Sequence, residues 1–571
     1  MNINANPTHR AQIGYQGFDM SKTTKFTSSV SQILPVYYDI LSPGDKVSGS
    51  HQLKTRLMPL ASGAFTSVEE HVDYFFVPME QIYSVFSEFF YGVQDMRSSN
   101  FDPQNTQPLL PYWNMLTLKQ ALNTGVPGYF AGYSGNMGAI RLLDMLGFDV
   151  RSMIGYMFFN GTNPPPTFAF SPLFLCAYQK IYYDHYRLSE REDNLSYAYN
   201  LDMWYDTPQI SYNEFMMMCR LHYIPRQKDY YTNTYVSPLF GSGSANSLPN
   251  TGYDYAAVNQ WLTSLNSVDL VDSSSNVTNQ RPTTIGLDNL APQAASPKSA
   301  LNVANIRSMF AVDKLLEITR RAGKHYDKQT LAHFGVDVPK GLSGECFYID
   351  GSQSRIDIGD VIATANSTDT INGVSSALGQ VGGKGFGEQG LNNPSCYIDF
   401  TAPSHGIFMA IYWSRVINDY DITGVDKLNT KINREDFVIP EYDNLGMQPI
   451  FKYESDFSDA NNFSTILGWQ YRYSEFKQKA NTIHGAFNKN STLNFWTTHV
   501  KKPSDSLLRS YLSSPYDLDD VVIVNFFDNW DISSDVDKTY NEIYTYDPML
   551  HEIYFDLKKA SKMSTYGLPS L

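Results

Sequence analysis

Residues Gln32–Asp45 read QILPVYYDILSPGD, and the two halves of this stretch point to one class of structure. Gln32–Leu41 is apolar and aromatic, the composition that suits a pleated, half-buried surface, and it reads as a strand. Ser42-Pro43-Gly44-Asp45 then supplies a turn, because proline presets φ and glycine accepts positive φ. A hairpin partner is expected next. Leu53, Thr55 and Leu57 alternate with Lys54 and Arg56, and Val72, Tyr74 and Phe76 alternate with His71 and Asp73. Both patterns carry the period of two that marks a half-buried strand.

The far end of the chain repeats the signal. Tyr397–Phe400, Gly406–Trp413 (GIFMAIYW), Gln448–Tyr453, Ile466–Tyr473, Val521–Phe527 and Glu552–Leu557 are short apolar or alternating runs bounded by turn residues. The middle reads differently. Leu116–Leu122 and Ile140–Leu146 suggest short helices, a loop follows at Pro164–Pro166, and a longer helix is expected over Pro172–Leu188. In it Tyr178, Ile181, Tyr182 and His185 fall at helical spacing, which makes a packing stripe. A second long helix is expected over Asn302–Ala322, ended by Gly323, with Arg320 and Arg321 in the last turn where the helix dipole favours cations. Gly241–Ser299 is rich in Ser, Asn, Gly and Pro and reads as a surface loop.

The simplest geometry that uses both ends is a mainly β, antiparallel sandwich or jelly roll in which early strands pair with late ones. Residues 1–80 would be an arm and the first strands. Residues 81–395 would be inserted loops and helices, including an exterior loop at 241–299. Residues 396–571 would complete the strands and end in a tail, all within one composite domain. Pairing over such sequence distances makes for slow folding.

The composition fits a large core: of 571 residues, 42% are hydrophobic, 14% aromatic and only 18% charged. The 40 tyrosines and 34 phenylalanines also provide broad contact area for protein interfaces. A net charge of -15 argues against a surface built throughout to neutralise nucleic-acid phosphates. Any such contact must be local, and the N-terminal arm is locally basic, with Arg10, Lys22 and Lys25 against Asp19 alone. A solvated tail is the bland reading of that arm. No signal-peptide stretch opens the chain and no run spans a bilayer, so a soluble protein made in a cytoplasm is expected. Cys176, Cys219, Cys346 and Cys396 form no CxxC pair and read as buried thiols.

Gly385-Phe386-Gly387-Glu388-Gln389-Gly390 matches GxGxxG, but Asn392-Asn393-Pro394 follows where a helix should begin, so a flexible glycine loop is expected. Gly383-Lys384 lacks the Ser or Thr of a phosphate loop. The eleven histidines include no HExxH, and His325 and His333 are not spaced as zinc ligands on a helix. Asp517, Asp519 and Asp520 read as acidic surface. Arg320, Arg321, Lys324, His325 and Lys328 could meet phosphate, end a solvated helix or contact a subunit. No catalytic, cofactor or metal residue is nominated.

Several blocks, taken in order, resemble the major capsid proteins of the Microviridae, in the gokushovirus-like branch of single-stranded DNA bacteriophages. They are LPVYYDILSPGD (Leu34–Asp45), VDYFFVP (Val72–Pro78), SPLFLCAYQKIYYDHYR (Ser171–Arg187), and RQKDYYT with SPLF (within Arg226–Phe240). They continue through IRSMFAVDKLLEITRRAGKHYDKQTLAHFGV (Ile306–Val336), HGIFMAIY (His405–Tyr412), ILGWQYRYSEFK (Ile466–Lys477) and YGLP (Tyr566–Pro569). The resemblance implies an eight-stranded antiparallel jelly roll with long, partly helical insertions. It also implies a homo-oligomeric icosahedral shell, a circular ssDNA genome on its inner face, and a small basic DNA-packaging protein beside other virion proteins. No cofactor, catalytic residue or membrane is implied, and the protein would reside in the virion. Beside the resemblance stand two separate expectations: that the basic arm with Arg10, Lys22 and Lys25 faces inward and meets nucleic-acid phosphates, and that 241–299 lies outside as a loop that contacts a host surface receptor or forms a protrusion. The alternative from another class is a carbohydrate-active or carbohydrate-binding β-sandwich, since Tyr and Trp also form sugar platforms. A tail fibre is a further rival, though the chain shows no internal repeat.

Overall fold

The computed structural model describes residues 14–58, 65, 67–91, 110–124, 137–149, 153, 169–189, 192–205, 207–235, 303–339, 343–362, 381–390, 396–443, 446–457, 465–489, 491–497, 499, 502 and 547–563. The expected strand Val521–Phe527 and the loop 241–299 lie outside these residues.

In chain order the first strands are β1 (Gln16–Asp19), β2 (Lys22–Ser28), β3 (Leu34–Leu41), β4 (Lys46–Leu57) and β5 (Val68–Pro78). After a short pair, β6 (Trp113–Asn114) and β7 (Ala169–Phe170), come β8 (Phe347–Ile362), β9 (Val381–Gln389), β10 (Ile398–Thr401) and β11 (Gly406–Val416). The last are β12 (Asp419–Asp421), β13 (Met447–Phe451), β14 (Ile466–Tyr471), β15 (Asn481–Ile483) and β16 (Met549–Ser561). One curled antiparallel sheet of 10 strands dominates: eight follow the order β1-β16-β4-β9-β8-β5-β11-β3, while β2 pairs with β16 and β10 with β4. The early and late ends of the chain therefore interleave. Lys46–Leu57 runs alongside Met549–Ala560, with Ile553 opposite Leu53, and Val68–Pro78 runs alongside Gly406–Val416, with Phe408 opposite Phe76. This is the jelly-roll arrangement, with helices carried in its loops.

β8 and β9 were not anticipated as strands. Phe347–Ile356 pairs with β5 and Asp357–Ile362 pairs with β9, so β8 passes from one half of the sheet to the other and curls it. The GxGxxG stretch lies in β9 instead of a flexible loop. Its glycines are explained by crowding: a Cβ on Gly387 would lie 2.7 Å from Glu70 Oε1 and 3.1 Å from Ile356 Cγ1, and one on Gly385 would run into Leu57. The turn at Ser42–Asp45 forms, with the Asp45 amide donating to Ser42 O at 3.0 Å and Gly44 at φ +86°, but it closes no hairpin. β3 pairs with β11 and β4 with β16, so the turn hands the chain from one layer to the other.

The two halves face each other across a core. Val36, Tyr37, Val72, Tyr74, Phe76, Phe408 and Tyr412 meet Val47, Leu53, Ile553, Phe555 and Leu557, with the Tyr37 and Phe555 rings 5.1 Å apart. Opposite side chains of β5 and β11, among them Phe75, Val77, Ile407, Met409 and Trp413, are buried beneath helices. Those helices include α1 (Met115–Thr124), α2 (Met137–Met145), α3 (Leu173–Ile181) and α4 (Tyr212–Met218). A strand covered on both faces needs an unbroken apolar run, which is why β11 reads GIFMAIYW. β16 is covered on one face alone and alternates strictly between buried and exposed residues over Met549–Lys559.

The helix expected over Pro172–Leu188 is α3 continued by a π-helical turn at Tyr182–Tyr186. Its aromatics pack as anticipated. Tyr178 donates to Ile33 O at 2.9 Å, Tyr182 stacks on His222 with ring centroids 3.5 Å apart, and Tyr186 donates to Asp73 Oδ2 at 2.7 Å. All four cysteines are buried free thiols. A second helical unit, α5 (Val303–Ala322) and α6 (Tyr326–Phe334), is turned at Gly323.

Candidate functional site

The N-terminal arm was the expected nucleic-acid contact. Arg10 lies outside the described residues. Lys22 and Lys25 both sit on β2, three residues apart, and a strand sends such a pair to opposite faces. Lys22 lies opposite Phe555 at the edge of the core, its ammonium 4.9 Å from the Tyr37 ring and 5.3 Å from the Tyr38 ring. Lys25 is on the open face, 3.6 Å from Glu552 Oε1. The two cations do not form one patch.

The open face of the sheet has a definite charge pattern. Glu552 lies opposite Lys25 on β2 and opposite Lys54 on β4, and Lys54 lies opposite Glu388 on β9. Cations and carboxylates thus alternate across four strands. Opposite charges in register support the strand pairing.

The cluster at Arg320–Lys328 works inside the chain. Arg320 is buried with its guanidinium 4.6 Å above the Tyr235 ring and Nη1 3.3 Å from Met447 Sδ. Arg321 lies 5.6 Å over the Tyr471 ring, and Lys324 donates to Tyr183 O. His325 Nε2 is 3.3 Å and His185 Nδ1 3.8 Å from Glu345 Oε1. Burial pushes both histidines down to about 4, with Lys324 and Lys328 adding to the effect, and burial lowers Lys324 to about 8. These groups fasten the α5–α6 pair to the body. Among the described residues no group of three or more His, Cys, Asp or Glu side chains can hold a metal ion.

An open cavity of about 480 Å³ is lined by Tyr230, Tyr231, Lys427, Glu454, Glu475 and Lys502, among others. Glu454 accepts from Tyr230 OH at 2.7 Å and lies 3.5 Å from Lys427 Nζ, while Glu475 pairs with Lys431. Lys502 sits 5.0 Å over the Tyr231 ring. With both carboxylates held by lysines, the geometry is that of a cross-braced fold, not of an acid and base poised around a glycosidic bond.

A family model described as "Capsid protein (F protein)" matches residues 6–132 and 145–569. The chain belongs to this phage capsid family. Among curated proteins, it is similar to capsid protein VP1 of Chlamydia phage 1, 22% identical over 214 residues, which is 36% of this chain and 34% of that protein. It is also similar to capsid protein VP1 of Bdellovibrio phage phiMH2K, 24% identical over 281 residues, 48% of each. The matched stretches thus span between about a third and about half the length of these two relatives. The resemblance to Microviridae capsid proteins read from the sequence blocks is borne out.

For a capsid F protein, the residues that sequence reasoning missed are those that lock the two sheet layers. Ser28 Oγ lies 2.8 Å from His551 Nε2, and His551 Nδ1 lies 2.9 Å from Thr55 Oγ1. Thr55 donates to Glu70 Oε2 at 2.5 Å and Ser354 to Oε1 at 2.7 Å. Beside them the Tyr74 hydroxyl is 2.7 Å from His51 Nδ1. The Gln389 amide lies 3.1 Å from His51 Nε2 and 2.8 Å from Ser352 Oγ, and is satisfied when its NH2 group faces both. Burial raises Glu70 above the usual carboxylate range and lowers His51, and it pushes His551 down to about 3. A signal was present: His51 and Thr55 fall on the same alternating face as Leu53 and Leu57, polar side chains in an inward row.

Proposed function

We propose that this chain is the structural subunit of a bacteriophage shell, many copies of which close into an icosahedral particle around a circular single-stranded DNA genome. The observation that carries this reading is the capsid-family match, which takes in nearly the whole chain. The fold supports it: a jelly roll with one helical layer and many exposed aromatics that suit contacts between copies. In this reading residues 1–80, 81–395 and 396–571 act as one body, assembled in the host cytoplasm and ending in the virion. Chemistry is not its task. A small basic packaging protein carries much of the genome's charge, as the net charge of -15 requires of some partner. Arg10, Lys22 and Lys25 make local contacts to the nucleic acid, Lys22 from the core rim and Lys25 from the open face. The loop 241–299 faces outward toward a host receptor.

Expression of the full chain followed by negative-stain microscopy and sedimentation tests the central claim. Closed particles of uniform diameter are expected. A protein that stays monomeric at all concentrations would overturn it. Nuclease-protected single-stranded DNA in particles from infected cells, lost in part on replacing Arg10, Lys22 and Lys25 with Ala, tests the finer claim.

A further inference from the structure

The α5–α6 pair is fastened at the end of α5, and α6 is open to solvent. α6 buries none of its side chains, and Phe334 is 79% exposed, with Tyr326, Leu331 and Val336 also open to solvent. Leu331 and Phe334, three apart on one helix, are neighbours. Of the cations of this pair, Arg320, Arg321 and Lys324 are engaged within the chain. Lys314 and Lys328 are exposed and make no ion pair with a described residue.

A second patch has the opposite sign. In 432–443, Ile432 is 85% exposed and Phe437 and Val438 are also open, and the segment holds four Asp or Glu against one Arg. Glu435 and Glu441 are exposed and likewise make no ion pair with a described residue. The segments that carry the two patches share neighbours in the fold. The end of α5 rests on Met447 and Tyr471 through Arg320 and Arg321, and the adjacent Arg472 lies 5.5 Å over Tyr442.

We propose that the α5–α6 pair of one copy docks on 432–443 of a second copy, apolar side chains meeting in the centre and Lys314 and Lys328 meeting Glu435 and Glu441 at the rim. Each patch offers what the other lacks. Bare aromatics rimmed by unpaired charge of one sign are the usual form of an association surface, and opposite charge selects the partner patch. Their adjacency lets two copies make the contact reciprocally. This rests on the shell reading and adds to it the identity of one contact.

The test is complementation between two full-length variants, Lys314→Glu/Lys328→Glu and Glu435→Lys/Glu441→Lys. Each alone places like charges across the contact, and association about tenfold weaker or worse is expected by sedimentation. An equimolar mixture restores opposite charges at every contact and should assemble as the wild type does. All four positions are exposed, so unchanged melting temperatures verify folding; Phe334→Ser and Ile432→Ser, also at exposed sites, should each weaken assembly and read the apolar half. Folded variants that assemble alone as well as the wild type would overturn the proposal. So would a mixture that fails to recover, the result expected if the helix pair is covered by another segment of its own chain. A wild type that never associates would instead bring down the shell reading, and the contact with it.

Discussion

The Thr55 hydroxyl donates to the Glu70 carboxylate at 2.5 Å inside the closed space between the two sheet layers. Glu70 is fully buried, and burial, the largest influence on it, holds its proton affinity above the ordinary value near 4.5 even though Thr55, Ser354 and Tyr412 all favour the charged form. An acid with a raised folded-state pKa gives stability that is complete below the unfolded value and lost as pH rises through the folded one. Glu70→Gln keeps the shape and an acceptor and cannot ionise. Its melting temperature should gain on the wild type's as pH rises above about 4.5. A constant difference across that range would show that Glu70 does not titrate in the fold.

His551 has the opposite sign. It is buried between Phe26 and Tyr412, ring centroids 4.6 and 4.5 Å away, and burial lowers it to about 3 from 6.5. A histidine kept neutral in the fold stabilises above the unfolded value, and that stability is lost as pH falls below 6.5 toward the folded one. One such group costs roughly 2 kcal/mol between pH 6.5 and 5. His551→Gln should be less stable than the wild type at pH 8, having lost ring packing, yet fall less steeply on acidification. Urea titrations that show the same loss of unfolding free energy between pH 7 and pH 5 in both proteins would contradict this.

Gly387 and Gly359 provide a paired test on adjacent strands. Added side-chain volume at Gly387 meets Glu70 and Ile356, whereas at Gly359 the nearest atom is Lys384 O at 4.0 Å, an ordinary contact. Gly387→Ala should cost about 1–3 kcal/mol by overpacking, and Gly359→Ala less than about 0.5 kcal/mol. Chemical denaturation of the two variants reads the difference, and equal losses would mean that β9 does not press against β5 and β8 as described.

How much of this was legible in the sequence depended on whether neighbours along the chain carry the information. GIFMAIYW announced a strand buried on both faces, and the alternation within Glu552–Leu557 announced one buried on a single face, because a strand's side-chain period is written locally. The polar, glycine-bearing run FYIDGSQSRIDIGDVI hid β8, and glycines required by Leu57 and Glu70 made β9 look like a loop. Those requirements come from residues more than three hundred positions away. SPGD was read correctly as a turn, but which strands it separates is decided by the pairing of β3 with β11 and β4 with β16. At the candidate site, the odd spacing of Lys22 and Lys25 already places them on opposite faces, while the inward use of Arg320 and Arg321 depends on Tyr235 and Tyr471, which local sequence does not reveal.

Arg141 and Asp547 show how the helical layer is tied to both ends of the chain. Arg141 Nη2 lies 2.7 Å from Asp547 Oδ1 with both side chains buried, and Nη1 donates to Thr27 O at 3.1 Å. Thr27 in turn donates to Asp547 Oδ2 at 2.5 Å. One ion pair thus joins α2, β2 and the residue that leads into β16. Arg141→Ala takes the cation away from the buried Asp547 carboxylate and should cost about 3–5 kcal/mol, and Asp547→Ala loses the same pair. The double variant leaves no lone charge and should cost clearly less than the sum, with a coupling of at least about 1.5 kcal/mol. Strict additivity in a denaturation cycle would mean that the two side chains do not meet in the folded protein, and that the junction of N-terminal and C-terminal strands is held without them.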